Sequence, residues 1–275
     1  MYTAEISRSN QSCFLFVIDQ SGSMADSFGG ANSKAQSVAD AINRLLQNLI
    51  IKCAKSEGIR DYYHVGVIGY GNHVGAAFSG SLSGKELVPI SEIANNPFRI
   101  EERTKKVPDG AGGLVDQTVK FPIWFDPTAS GGTPMCNAMA KAKSILTQWL
   151  SEHPNCFPPV VIHITDGEST DGDPSLAMQE LRELFSNDGN VLLFNLHISN
   201  SADKIIFPES SDKLPDEYSK MLFGGASYLT PFMRSVANQE HELSLSDGAK
   251  GFVLNADLTL VIQALDIGTR PSNLR

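Results

Sequence analysis

The chain has 275 residues, of which 41% are hydrophobic and 19% charged, so it can bury a large globular core. Its formal net charge of −9 argues against a general binder of nucleic acids or anionic membranes, because both functions need a basic face. No apolar stretch approaches the ~20 residues of a membrane-spanning helix.

The N-terminus and the cysteines predict a cytoplasmic location. Residues 1–13 contain no basic segment followed by an apolar one, so we expect no secretion signal. The cysteines lack the CxxC spacing of metal or redox motifs, and three of them fall inside apolar patterns, which favours reduced, buried thiols. They are Cys13, Cys53, Cys136 and Cys156.

The first quarter of the chain alternates strand and helix. "CFLFVI" (13–18) and "YHVGVIGY" (63–70) are continuous apolar runs, typical of parallel strands covered on both faces. Between them, apolar residues from Val38 to Cys53 recur at helical spacing. Ser33 is the expected N-cap of this helix and Gly58 its expected stop.

Residues ~72–130 interrupt the alternation. They contain three glycine clusters and one extended piece, "VKFPIWF" (119–125), without a long helical stripe. We expect an insert made of a strand or hairpin and loops. An irregular segment of this length usually carries a function or is mobile.

The second half returns to alternating elements. A helical stripe runs from Met135 to Trp149, and a second runs from Leu176 to Phe185, with Asp173 and Pro174 at its start. The remaining segments are predicted as strands at 159–165, 191–198 and 251–255, and as helices at 216–225 and 231–243. The apolar segment "DLTLVIQAL" (257–265) closes the fold before a polar tail.

Strands alternating with helices predict an α/β fold with a doubly wound, mostly parallel central sheet flanked by helices, Rossmann-like in type. We expect a single domain over residues 1–275. Its core spans about 13–268, its irregular or β insert about 72–130, and its mobile C-terminal tail 269–275.

Three polar clusters lie where strands or loops lead into helices. They are "DQSGS" (19–23), "SGGTP" (130–134) and "TDGE" (165–168). The carboxyl ends of neighbouring parallel strands meet at one rim of a sheet, where ligands bind. The three clusters are therefore expected to converge there.

The converging side chains offer only oxygen atoms, without histidine or cysteine. This set suits a hard cation such as Mg²⁺, with Mn²⁺ or Ca²⁺ as alternatives, and does not suit zinc. The predicted ligands are two carboxylates and three hydroxyls: Asp19, Ser21, Ser23, Thr133 and Asp166.

Local geometry supports this set. In an extended turn alternate side chains point the same way, so the D-x-S-x-S pattern directs three groups at one ion. Gly22 lets the backbone turn closely around it. Thr133 precedes Pro134 and is the expected N-cap of the following helix, which would fix its hydroxyl.

These motifs resemble the von Willebrand factor A (vWA) domain and its metal-ion-dependent adhesion site (MIDAS), and are most similar to cytoplasmic bacterial members of the TerY-like group. The resemblance implies that the five residues bind the metal and leave a sixth position for an Asp or Glu of a protein partner. It also implies partners such as protein kinases, protein phosphatases or AAA+ ATPases, in bacterial stress-response, signalling or defence systems.

The predicted function is therefore metal-dependent protein–protein interaction without catalysis. One alternative is a metal-dependent phosphohydrolase or phosphotransferase that uses the same ion to polarise a phosphoryl group. Another is a scaffold whose site is vestigial. "GSLSG" (80–84) matches the nucleophile elbow of hydrolases but lacks the buried strand and long helix which that motif needs. His163 and His197 lie in apolar strands and are expected to be hydrogen-bonded core residues.

Overall fold

A computed structural model describes residues 2–28, 30, 32–108 and 113–269 of the chain. The predicted mobile tail lies outside these residues, except for Thr269, which is buried at the end of the last helix.

The described residues form fourteen strands. Eight of them belong to one sheet and six form three separate two-stranded ladders. The strands are β1 Ser12–Asp19, β2 Ala54–Lys55, β3 Gly58–Ile59, β4 Tyr63–Tyr70, β5 Val74–Ala76, β6 Val88–Pro89, β7 Arg99–Pro108, β8 Leu114–Ile123, β9 Val160–Thr165, β10 Phe185–Ser186, β11 Gly189–Asn190, β12 Leu192–Ile198, β13 Ile205–Ile206 and β14 Phe252–Ala256.

Seven α-helices connect and cover the strands in the described part of the chain. They are α1 Lys34–Cys53, α2 Ile90–Asn95, α3 Met135–Glu152, α4 Ser175–Glu183, α5 Glu217–Gly225, α6 Pro231–Glu240 and α7 Leu258–Thr269. Two single turns of 3₁₀-helix, Gly22–Ala25 and Gly80–Leu82, occur in loops.

The main sheet has the order β13-β14-β12-β9-β1-β4-β5, and β6 also pairs with β4. Its centre is parallel: β1 pairs in parallel with β4 and β9, and β12 with β9 and β14. Its margins are antiparallel, because β13 runs against β14, and β5 and β6 run against β4.

The prediction of a doubly wound, mostly parallel sheet is therefore wrong, because the sheet is mixed. Of the fourteen described strands, nine pair only in antiparallel fashion. The prediction relied on long apolar runs, which identify only strands that are buried on both faces. Seven of the nine antiparallel strands are only two or three residues long, and such short strands leave no periodic pattern in the sequence.

The alternation of side chains along β1 divides the core into two layers. Phe14, Phe16 and Ile18 face the layer that contains α1, α6 and α7, whereas Leu15 and Val17 face the layer that contains α3, α4 and α5. Both faces of the central strands are thus covered, which explains why their sequences are continuously apolar.

The helix boundaries depart from the sequence expectations at three places. Ser33 caps α1 as predicted, accepting a hydrogen bond from the Gln36 backbone, but α1 ends at Cys53, before the short β2–β3 hairpin. Helix α4 ends at Glu183, so the last residues of the predicted stripe lie outside it. Pro134, not Thr133, occupies the cap position of α3.

The segment 72–130 contains β5, β6, α2 and a long antiparallel hairpin formed by β7 and β8. The extended piece expected at 119–125 covers the last five residues of β8.

The four cysteine thiols are free, and three of them are buried. None of the helices in the described ranges has the length and hydropathy required to cross a membrane.

Candidate functional site

Strands β1 and β9 lie side by side and bring two of the polar clusters together. They pair in parallel, with Ile18 opposite Ile164, so Asp19 and Thr165 are the next residues at the same rim. The Thr165 hydroxyl donates a hydrogen bond to Asp19 Oδ2 over 2.8 Å. The predicted convergence of "DQSGS" and "TDGE" is therefore confirmed.

Asp19 is a fully buried carboxylate held by hydrogen bonds. Its Oδ1 accepts from the Ser21 backbone N–H over 2.8 Å, which fixes the turn after β1. Burial raises the pKa of the Asp19 carboxyl above its ordinary value, although the hydrogen bonds from Ser21 and Thr165 oppose this shift. A nearby cation would favour the ionised form of this group.

Three oxygen atoms form a short chain across the rim. Ser21 Oγ lies 3.1 Å from Ser23 Oγ, and the Ser23 hydroxyl donates to Asp166 Oδ1 over 2.7 Å. The Asp166 side chain is fully buried. The alternation of serines in the turn thus places both hydroxyls on the side that faces Asp166.

Lys34 also belongs to this rim, although the sequence reasoning did not include it. Its ammonium group donates to Asp166 Oδ2 over 2.8 Å, and its side chain is 11% exposed. A second carboxylate, that of the exposed Asp26, lies 3.5 Å away. Lys34 is the first residue of α1, and side chains there point back toward the helix N-terminus, which is the signal that could have located it.

The loop that carries Thr133 is attached to the rim through the backbone. The Gly22 N–H donates to Gly131 O over 3.0 Å, and the Ser130 N–H donates to Gln20 O over 2.6 Å. Gly71 packs against both loops, since a Cβ there would lie 2.5 Å from Ser130 O and 2.7 Å from Gln20 O. All three predicted clusters therefore meet at one rim.

Thr133 is positioned differently from the prediction. Its side chain does not cap α3, because the helix begins at Met135 with Pro134 in the cap position. Instead, the Thr133 N–H donates to Thr170 Oγ1 and its carbonyl accepts from the Thr170 N–H, each over 2.9 Å. The loop after β9 thus holds this residue in place, and Thr133 remains 6% exposed.

A buried polar chain runs beneath the rim. His163 Nε2 lies 2.6 Å from the Tyr70 hydroxyl, and His163 Nδ1 lies 2.9 Å from Asn195 Oδ1. Because Asn195 Oδ1 can only accept, Nδ1 carries the proton and Nε2 accepts from Tyr70. Burial lowers the pKa of His163 to about 4, so the ring is neutral at pH 7. His163 is thus a hydrogen-bonded core residue, as predicted.

The set of donors fits a small hard cation in its chemistry, because all five side chains offer oxygen. Neighbouring oxygens around Mg²⁺ lie about 3 Å apart, given metal–oxygen distances of about 2.1 Å. Ser21, Ser23 and Asp166 are joined by hydrogen bonds of 3.1 and 2.7 Å, so their oxygens are already close enough to share one ion. With only two carboxylates the rim relies on hydroxyls, and the described residues contain no group of three or more His, Cys, Asp or Glu side chains that could hold a metal.

No family model matches the sequence, and no curated protein matches it. The solved structures that resemble the chain include the pilus adhesin SpaC from Lactobacillus rhamnosus GG, with 15% identity, a TM-score of 0.46, and coverage of 96% of this chain and 31% of that one. A second is a structure of three N-terminal domains of the type V pili tip protein Mfa5 from Porphyromonas gingivalis, with 16% identity, a TM-score of 0.33, and coverage of 58% of this chain and 20% of that one. A third is the PilB minor pilin from Streptococcus sanguinis, with 14% identity, a TM-score of 0.31, and coverage of 57% of this chain and 30% of that one. The chain spans less than a third of the length of each.

These findings contradict the vWA, TerY-like assignment and the MIDAS designation that came with it. No family model supports the assignment, and the sheet is mixed. The polar motifs prompted the resemblance, but short motifs of small polar residues also serve turns and loop contacts, as Thr133 illustrates. The identity of the cation, the partner classes and the cytoplasmic location stay predictions.

Proposed function

We propose that the rim formed by Asp19, Ser21, Ser23, Thr133 and Asp166 binds a divalent cation and, through it, an acidic side chain of a protein partner. One observation carries this proposal. Two buried carboxylates, Asp19 and Asp166, converge at one rim with the serine hydroxyls, and Ser23 lies within hydrogen-bond distance of both Ser21 and Asp166.

The charges of the rim favour an acidic partner once a dication is bound. Asp19 and Asp166 contribute two negative charges in their ionised forms, and the Lys34 ammonium contributes one positive charge. A dication would leave these groups with a net charge of about +1, and burial would strengthen its attraction for a carboxylate. Five protein oxygens leave one position of an octahedral ion for that carboxylate.

Substitution of Lys34 distinguishes a rim that binds a cation from a rim that is only structural. Its ammonium competes with a dication for Asp166, and removing it leaves Asp166 buried without its counter-charge. Lys34→Met should therefore unfold more easily than the wild type in EDTA, and Mg²⁺ should reverse most of that loss. If Mg²⁺ raises the Tm of neither protein, the rim does not bind the cation and the proposal fails.

The ligand set is tested by titration with Mn²⁺, followed by electron paramagnetic resonance. The wild type should bind one ion, and Ser23→Ala and Asp166→Asn should each weaken binding at least about tenfold, as expected for losing one ligand of a small site. Ser81→Ala, which changes an exposed serine bonded to Asn96, is the matched control and should bind like the wild type. Equal binding by all four proteins would place the ion elsewhere.

Acetate serves as the simplest probe for the acidic side chain of a partner. In the presence of Mg²⁺ it should shift the amide resonances of Gly22 and Gly132, and in EDTA it should not. Phosphate-ester hydrolysis that requires both Mg²⁺ and Asp166 would instead favour the alternative of a phosphohydrolase.

A further inference from the structure

The β7–β8 hairpin leaves one edge of β8 without a neighbour. The two strands pair with each other over ten residues, from Arg99 opposite Ile123 to Pro108 opposite Leu114. In the described part of the chain no other strand joins this ladder. Residues 114–118 at the far end of β8 are exposed, with Leu114 at 66% and Val115 at 48%, whereas Phe121 and Ile123 near its base are buried. Such an edge is a template for pairing with another strand.

The sequence of β8 is complementary to itself. When two copies of a strand pair in antiparallel fashion around a two-fold axis, directly opposed side chains lie on the same face. With the axis at Thr118, the two copies of Thr118 face each other and Asp116 faces Lys120 of the second copy. In the same register Leu114 faces Pro122, and Val115 faces Phe121.

Other registers do not place opposite charges and apolar residues against each other. An axis at Asp116 or at Lys120 sets two like charges against each other, which destabilises a strand pair. An axis at Gln117 places Leu114 opposite Lys120, and an axis at Val119 places Asp116 opposite Pro122. Among these registers, only the one centred on Thr118 joins both acidic residues to both basic ones.

The alternation of opposite charges continues onto the neighbouring strand, β7. Within one copy, Asp116 lies opposite Lys106 of β7, and Lys120 lies opposite Glu102. Joining two β8 edges at Thr118 therefore creates a row across four strands with the order Lys106, Asp116, Lys120, Glu102, in which the charges alternate. The central row consists of threonines, because Thr104 lies opposite Thr118.

We propose that two copies of this chain associate through their β8 edges in the register centred on Thr118. The product is a four-stranded antiparallel sheet with β7 on each outer side. A single strand pair buries much less than the ~1,600 Å² of a standard interface, so the association is concentration-dependent. It does not depend on cation binding at the rim.

Charge exchange gives the most direct test, by sedimentation velocity over a range of concentrations. Asp116→Lys and Lys120→Asp should each weaken self-association about tenfold, because each homodimer then contains two pairs of like charges. An equimolar mixture of the two variants should associate again, since opposite charges meet between the copies. The contacts within each chain are the same in the mixture and in the separate variants, so they cannot account for the recovery.

Cross-linking tests the register. The two Thr118 residues would have Cβ atoms about 4.5–5.5 Å apart, near the range of a disulfide, so oxidised Thr118→Cys should form covalent dimers. Thr104→Cys, on the same face of β7, is the control. It should not form covalent dimers, because strand β8 lies between each Thr104 and the two-fold axis. A wild type that stays monomeric, association unaffected by Asp116→Lys, or equal cross-linking of both cysteine variants would each overturn the proposal. Pairing of β8 with an unrelated strand peptide in a monomeric wild type would also overturn it.

Discussion

The rim at the ends of β1 and β9 and the β7–β8 hairpin are assembled in different ways. The rim combines residues 19–23, 34, 130–133 and 165–166, which distant parts of the chain contribute. The hairpin pairs two strands that follow each other along the chain, β7 and β8, and the far end of β8 is exposed. The rim holds buried carboxylates that need counter-charges, whereas most of the described charged side chains of the hairpin, such as Asp116 and Lys120, are exposed.

This difference determines what a substitution can do in each region. At the rim, a change affects hydrogen bonds and charges of several segments at once, so it should alter both stability and cation binding. On the outer part of the hairpin, the same type of change should alter association and leave the free energy of unfolding nearly unchanged. The base of the hairpin is an exception, because it packs against α1.

The largest expected effect concerns that base. Asn43 of α1 donates to Phe125 O over 2.8 Å and accepts from the Trp124 and Phe125 N–H groups over 2.9 and 3.1 Å. Asn43→Ala should lower the free energy of unfolding by about 3 kcal/mol, because these buried backbone groups lose their partner. Urea unfolding measures the effect, and Asn48→Ala, on the exposed side of α1, should change it by less than about 0.5 kcal/mol. If Asn43→Ala were as stable as the wild type, the hydrogen bonds between α1 and the hairpin base would not contribute to stability.

A smaller effect is expected where Gly71 separates the two loops of the rim. Gly71→Ala places a methyl group against the backbone oxygens of Ser130 and Gln20, and should cost about 2 kcal/mol and weaken Mn²⁺ binding. Gly75→Ala is the control, since a Cβ there meets no atom within 4 Å. Unfolding curves and Mn²⁺ titrations of both variants check this. A Gly71→Ala protein that behaves like Gly75→Ala would mean that the loops can separate without consequence.

The smallest effect is the pH dependence that His163 confers. Its pKa is lowered to about 4 in the folded protein, from an ordinary value of about 6.5. The unfolded chain therefore binds the proton first, and stability present above pH 6.5 is lost progressively as the pH falls toward 4. Between pH 7 and pH 6 the loss should be about 0.7 kcal/mol.

Comparison with His163→Gln isolates this contribution, because the substitution removes only the imidazole of His163. The variant should lose about 0.7 kcal/mol less than the wild type over the same interval. An identical loss in the two proteins would show that folding does not shift the pKa of His163.

Much of the fold could be predicted from patterns within short segments. The four long central strands and β14 follow from apolar runs, and α1 follows from its stripe and from Ser33. The antiparallel margins of the sheet could not be predicted, because β5, β6 and β13 have only two or three residues and their pairing depends on the neighbouring strand. The vWA assignment failed because it rested on polar motifs and not on the pairing of these strands.

The candidate site shows the same division. The sequence by itself determined that Asp19 and Asp166 stand at the ends of apolar strands, because such strands are recognisable from their own residues. Only the tertiary structure decided that Lys34 binds Asp166, that Thr170 and not a helix cap holds Thr133, and that β8 has an unpaired edge. The physical reason is that apolar periodicity reports the burial of a segment, whereas ion pairs and strand edges depend on which distant segments become neighbours when the chain folds.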